Sequence, residues 1–136
     1  MGTDLYPLEP SAEEMRAMID QAAERVVEHI ASLPSQPASY TQDGRPAASA
    51  LVEELPEQGA PFEALLDLLF DRAVPPSFNT AGPGYLAYIP GGGVFPSAVA
   101  DLIANAVNRY VGVWVAAPAL VQLETNVVRW FCDIVD

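Results

Sequence analysis

Early in the chain, apolar side chains recur in steps of three and four: Met15, Met18, Ile19, Ala22, Ala23, Val26, Val27 and Ile30. That spacing places them on one face of an α-helix, with Glu13, Asp20, Glu24 and Glu28 on or near the other. Ser11 and Glu14 stand ahead of it at the spacing of a capping box. Pro34 and Pro37 close it, because proline has no amide to donate and restricts the residue before it. A loop is expected over 32–44, a short helix from Pro46 to about Leu55, and a turn at 56–59. Pro61 suits a first helical position, and the helix it opens carries Phe62, Leu65, Leu66, Leu68, Leu69 and Phe70 until Pro75-Pro76 stops it.

From Ser77 to Gly93 the pattern loses its period and fills with glycine. A helix with Val99, Leu102, Ile103, Ala106 and Val107 on one face is predicted from Pro96 to about Asn108, and an extended stretch over 110–117. A last helix from about Pro118 carries Leu120, Leu123, Val127, Trp130, Phe131 and Ile134. Five helices without paired strands predict an all-α segment. The last helix ends at Asp136 with no glycine, proline or basic residue to settle its carbonyls, and with negative charge at the negative end of the dipole. It reads as a helix that has been cut.

Composition narrows the function. The 136 residues suit one domain, with 51% apolar and only 18% charged residues; typical chains carry roughly 25% charge. The net charge is −12. All six basic residues are arginines, and there is no lysine. Nucleic-acid binding needs clustered positive charge, so it is excluded, as is attraction to an anionic membrane. No unbroken apolar run of transmembrane length is present, and the start of the chain lacks the features of a signal peptide; a cytoplasmic location is expected. Cys132, the single cysteine, allows no internal disulfide and reads as a buried thiol. His29, the single histidine, reads as solvated or capping, with no second ligand type beside it for a metal.

Two stretches are candidates for chemistry. Gly91-Gly92-Gly93 follows Tyr88-Ile89-Pro90, but a phosphate loop would continue with lysine and a hydroxyl residue, where Val94 and Phe95 stand. The glycines form either a tight loop into the next helix or one wall of a small-molecule pocket, with Tyr85, Tyr88 and Phe95 as aromatic surface. Tyr110-Val111-Gly112-Val113-Trp114 divides evenly between core packing and a pocket role. Ser77 and Ser97 have no histidine partner, and Glu13-Glu14 and Glu53-Glu54 read as solvated helix charges.

The run from Gly84 to Asp101, the segment Gly112-Val113-Trp114-Val115-Ala116-Ala117-Pro118-Ala119, and Leu123-Glu124 with Val128-Arg129-Trp130 together resemble the early region of the group II decarboxylases. That family includes the aromatic-L-amino-acid, histidine and glutamate decarboxylases. The order is shared: an aromatic-x-Pro loop, a helix with an Ala-Asp pair, Gly-x-Trp-x-x-x-Pro, then a helix with Leu-Glu. The amphipathic first helix and Leu-Pro-Glu-x-Gly at 55–59 also fit, so the resemblance spans the chain.

The resemblance implies the N-terminal helical part of a fold-type-I enzyme dependent on pyridoxal 5'-phosphate, α/β when complete. Residues 1–76 would be a helical dimerisation segment. Residues 77–136 would form a pocket loop and helices leading into the cofactor-binding domain. In such enzymes the cofactor's lysine, phosphate loop, stacking histidine and ring-nitrogen aspartate come later in the chain. A Schiff base needs an amine, so this chain has no catalytic residue of its own. It would instead line the substrate site, with Tyr88, Pro90 and Gly91 in the aromatic-x-Pro loop and Tyr110 and Gly112 reaching a neighbouring active site. Its partners would be a lysine-containing remainder, possibly a second chain, the other subunit of an intertwined homodimer, and an amino-acid substrate.

The chain departs from the family pattern in several places. Gly82-Pro83-Gly84-Tyr85 stands for His-Pro-x-aromatic, and Ala117 for a serine. Gly91 stands where some relatives have a hydroxyl residue facing the substrate ring, which leaves the amino acid open. Some relatives act as aldehyde synthases. The alternative from another class is a non-catalytic helical interaction protein derived from this family.

Overall fold

The computed structural model of the chain describes residues 8–40, 43–89 and 91–135. Their regular structure is helical, with no strand among the described residues: α1 (Ala12–Ser32), α2 (Arg45–Ser49), α3 (Phe62–Asp67), α4 (Phe95–Val107) and α5 (Pro118–Val135). Tight 3-10 turns occupy Leu33–Ser35 and Trp114–Ala116, and a π-helical turn occupies Leu68–Ala73. The segment is all-α, as its periodicity predicts. It divides into two structural units, one ending at Gly92 and the other beginning at Gly93.

In the first unit, α1 begins on the expected capping box. The Ser11 amide donates to Glu14 Oε2 at 2.6 Å, and the Glu14 amide donates to Ser11 Oγ at 3.2 Å. Two amides that the first turn would leave without acceptors are thereby satisfied. The Ser11 hydroxyl, and then the Ser11 amide, hold the Glu14 carboxyl below its usual range.

Three elements depart from the sequence expectation. The helix expected to reach Leu55 ends at Ser49: β-branched Val52, adjacent acids at Glu53 and Glu54, and the restriction Pro56 puts on Leu55 all disfavour its continuation. The helix expected from Pro61 begins at Phe62 and widens after Asp67 into the π-helical turn, closed by the Val74 amide donating to the Leu69 carbonyl at 2.9 Å. The stretch expected to be extended over 110–117 contains a 3-10 turn, with the Ala117 amide donating to the Trp114 carbonyl at 3.3 Å.

The π-helical turn serves as the joint between the helices of the first unit. Its Asp71 accepts from Arg25 of α1, and Arg25 also lies 3.9 Å from Asp67. Phe70 carries the Arg25 guanidinium 5.4 Å from its ring centroid and the His29 ring at 5.9 Å. Arg72 donates to the Ala50 carbonyl at the end of α2 (3.1 Å). Insertion of a π turn rotates the following side chains relative to an α-helix, and here Phe70 and Asp71 both meet Arg25 of α1 while Arg72 meets the end of α2. His29, expected to be solvated or capping, is half-buried against Phe70.

In the second unit, Pro96 sits in the first turn of α4, where its missing amide costs nothing. The helix ends on Asn108 in the left-handed conformation (φ 44°), a residue type that tolerates it. Ala117, buried, precedes Pro118 and accepts from the Val121 amide at 3.0 Å.

Leu66 and Ala117 are the buried hydrophobic residues among those described. Met15, Ile19, Val27 and Ile30 of α1, Val99, Leu102 and Ile103 of α4, and Leu123, Trp130 and Phe131 of α5 are exposed. Cys132, expected to be buried, is exposed as well, because no other element among the described residues covers its part of α5. Periodicity identified these apolar faces, but it does not determine whether this chain supplies their cover. No helix among the described residues is long and apolar enough to cross a membrane.

Candidate functional site

The segment after the π-helical turn is held against the corner that follows α1. The Asn79 amide donates to the Ala38 carbonyl at 3.0 Å, and its side chain donates to the Leu33 carbonyl at 3.4 Å. The Asn79 carbonyl accepts from Gly82, whose own carbonyl accepts from Tyr85, each at 3.1 Å. Gly82 is buried, and a Cβ there would overlap the Asn79 side chain. A side chain at this position would therefore displace the Asn79 side-chain amide from its place.

Asn79 in turn fixes Phe78, on which two tyrosines gather. Ring centroids lie 6.1 Å apart for Phe78 and Tyr85, and 6.4 Å apart for Phe78 and Tyr88, the latter nearly parallel at 26°. Tyr88 has φ 58°, a left-handed conformation that costs a non-glycine residue about 1–2 kcal/mol and persists where surrounding contacts enforce it. Tyr88 as a whole is 81% exposed, and its described aromatic contact is the Phe78 ring.

Two clefts meet at Phe78. One, of about 530 Å³, runs between His29, Tyr40, Phe70, Phe78 and Asn79. The other, of about 390 Å³, lies between Ala38, Ser39, Phe78, Tyr85 and Tyr88. Apolar and aromatic surface with a few neutral polar groups at the rim suits a flat organic ligand better than a charged one.

Of the residues singled out from the sequence, Tyr88 and Gly91 belong to the first unit, and Tyr110 and Gly112 to the second. Pro90 lies outside the described residues. A Cβ at Gly91 would meet nothing within 4 Å, so packing does not demand glycine there. At Gly112 a Cβ would run into the Tyr110 ring, so these two residues form one local arrangement. Sequence reasoning missed Phe78 and Asn79, which fell in an irregular stretch where no period flags an inward residue. The one usable signal was the aromatic spacing of Phe78, Tyr85 and Tyr88.

The chain lacks the amine that a Schiff base to the cofactor needs. It has no lysine. Arg25 is engaged by Asp71 and Asp67, Arg45 by Asp43, and Arg72 by a backbone carbonyl, so these arginines do not form a phosphate cradle. Asp43, within bonding distance of Arg45, is held below the usual carboxylate range. No group of three or more His, Cys, Asp or Glu side chains that could hold a metal occurs among the described residues.

No family model matches the chain. It is 32% identical over 123 residues to the aromatic-L-amino-acid decarboxylase of Bacillus atrophaeus, covering 90% of this chain and 26% of that protein. The structure of Oryza sativa TDC with PLP and tryptamine superposes with a TM-score of 0.81 at 25% identity, over 93% of this chain and 26% of the other. That of 4-hydroxyphenylacetaldehyde synthase from Rhodiola rosea shares the fold, with a TM-score of 0.83 at 18% identity, over 93% of this chain and 27% of the other. The chain spans about a quarter of the length of the curated relatives it matches. Its sequence and fold correspond to the N-terminal region of the pyridoxal-phosphate-dependent group II decarboxylases of the aromatic-L-amino-acid type.

Proposed function

We propose that this chain is the N-terminal part of a pyridoxal-phosphate-dependent amino-acid decarboxylase, where it supplies dimer interface and one wall of the substrate pocket. The lysine-bearing remainder holds the cofactor. The observation that carries this reading is the 32% identity to an aromatic-L-amino-acid decarboxylase over 90% of the chain. The exposed faces of α1, α4 and α5 support it physically. Burying a large apolar side chain stabilises by about 1.5–3 kcal/mol, and contiguous exposed apolar surface marks an interaction site. In this reading α1 lies on a second copy of the enzyme, while α4 and α5 lie on the remainder. The cytoplasmic location expected from the sequence goes with it.

The side chains of this segment have a passive part in the chemistry. In this reading Tyr88 and Gly91, with the adjoining Pro90 of the aromatic-x-Pro motif, belong to the substrate side of the loop, and Tyr110 and Gly112 serve a neighbouring site. The aromatic rings favour a planar substrate side chain. The test is to incubate the assembled enzyme, loaded with pyridoxal phosphate, with single aromatic amino acids and to measure carbon dioxide, amine and aldehyde. Release of carbon dioxide with amine supports decarboxylation. Aldehyde as the organic product assigns the enzyme to synthase chemistry, and no turnover refutes the reading.

A further inference from the structure

We infer that Phe78 is a positioning residue, one that sets the placement of Tyr88 and so the shape of the substrate-side wall. This rests on the reading of the pocket given above. Three observations converge on Phe78. Its ring packs against both Tyr85 and Tyr88, and is nearly parallel to Tyr88. Tyr88 is held in a left-handed backbone conformation that a tyrosine adopts only where neighbours enforce it, and Phe78 is the described aromatic neighbour of its ring. The backbone beside Phe78 is itself anchored, because Asn79 bonds to the Ala38 and Leu33 carbonyls at the corner after α1.

The chain of support therefore runs from α1 through Asn79 to Phe78, and from Phe78 to Tyr88. Phe78 is 57% exposed, so little core packing is lost when it changes. What its removal takes away is the surface that Tyr88 stacks on. Tyr88 then leaves the left-handed region, and its ring no longer marks a fixed edge of the 390 Å³ cleft. Substrate binding suffers, while the cofactor, held by the remainder, does not.

The test compares Phe78→Leu and Phe78→Tyr in the assembled, cofactor-loaded enzyme. Phe78→Leu raises KM for the aromatic amino acid about five- to tenfold, leaves kcat within about twofold and leaves the cofactor absorbance unchanged. Phe78→Tyr, which keeps the ring, restores KM to within about twofold. An unchanged KM in Phe78→Leu overturns the inference, and so does a fall in kcat accompanied by loss of cofactor. A second readout is independent of turnover: ring-to-ring NMR contacts between residue 78 and Tyr88, present in the wild type and in Phe78→Tyr. If the wild-type assembly turns over no amino acid, the proposed function fails by itself. The NMR contact then decides the positioning claim, and its absence from the wild type overturns that too.

Discussion

The guanidinium of Arg25 lies 5.4 Å from the centroid of the Phe70 ring, and the same group reaches the carboxylate of Asp71. One arginine on α1 thus grips two successive residues of the π-helical turn, one by its ring and one by its charge. The exposed ion pair alone contributes little, because solvent screens it. The contact with Phe70 and the packing of the side-chain stem add to it. Arg25→Ala is therefore predicted to destabilise the first unit by about 1–2 kcal/mol, and Arg25→Lys by less. Urea unfolding of the assembled protein measures both, and equal stability of all three proteins contradicts the assignment.

The capping box gives a prediction in pH. The Glu14 carboxyl is held below its ordinary range by the Ser11 hydroxyl and amide. A depressed folded pKa means the stabilisation is complete above the ordinary carboxylate range and is lost as pH falls through the folded value. Helicity of the 12–32 region should therefore fall with acidification below the ordinary range, and less so in Glu14→Gln. Ser11→Ala removes the cap itself and costs about 1 kcal/mol. Amide exchange in the first turn of α1 reads both effects.

Gly82 and Asn79 form a coupled pair. A methyl group at Gly82 displaces the Asn79 side chain and with it the bond to the Leu33 carbonyl. Gly82→Ala and Asn79→Ala should each cost about 1 kcal/mol, the scale of one hydrogen bond. The double variant should lose less than the sum, since contacting residues are not additive. Strict additivity in a double-mutant cycle contradicts the packing described.

Gly91 separates ligand contact from packing. A Cβ there meets nothing within 4 Å, so Gly91→Ala should leave the denaturation midpoint unchanged. If the loop borders the substrate, the same variant raises KM in the assembled enzyme severalfold. At Gly112 the Tyr110 ring stands in the way, and alanine there should lower stability as well as activity. Equal behaviour of the two variants in both assays contradicts the distinction.

The helices were legible in the sequence because α1, α4 and α5 carry a 3.6-residue apolar period over several turns, bounded by Ser11, Pro34, Pro96 and Pro118. Short elements were not. α2 spans five residues and rests on the Arg72 contact to Ala50, a tertiary bond that no local pattern encodes. The π-helical turn leaves the apolar run of Leu68, Leu69 and Phe70 intact and changes only the register in which those side chains project. The resemblance pointed to Tyr88 and Gly91 as pocket residues, a role that stays a proposal. Phe78 escaped because its role depends on where Asn79 anchors a non-periodic loop. The burial of Cys132 was misjudged because an apolar neighbourhood along a helix says nothing about whether the covering element lies in the same chain.

The most direct test of the central claim is denaturing mass spectrometry of the native protein after borohydride reduction. The account predicts a reduced pyridoxal-phosphate adduct on a lysine outside these 136 residues, either in a second chain or in a longer polypeptide containing this one. A single 14.5 kDa species without cofactor would contradict it, and the enzymatic reading would give way to that of a non-catalytic helical interaction protein.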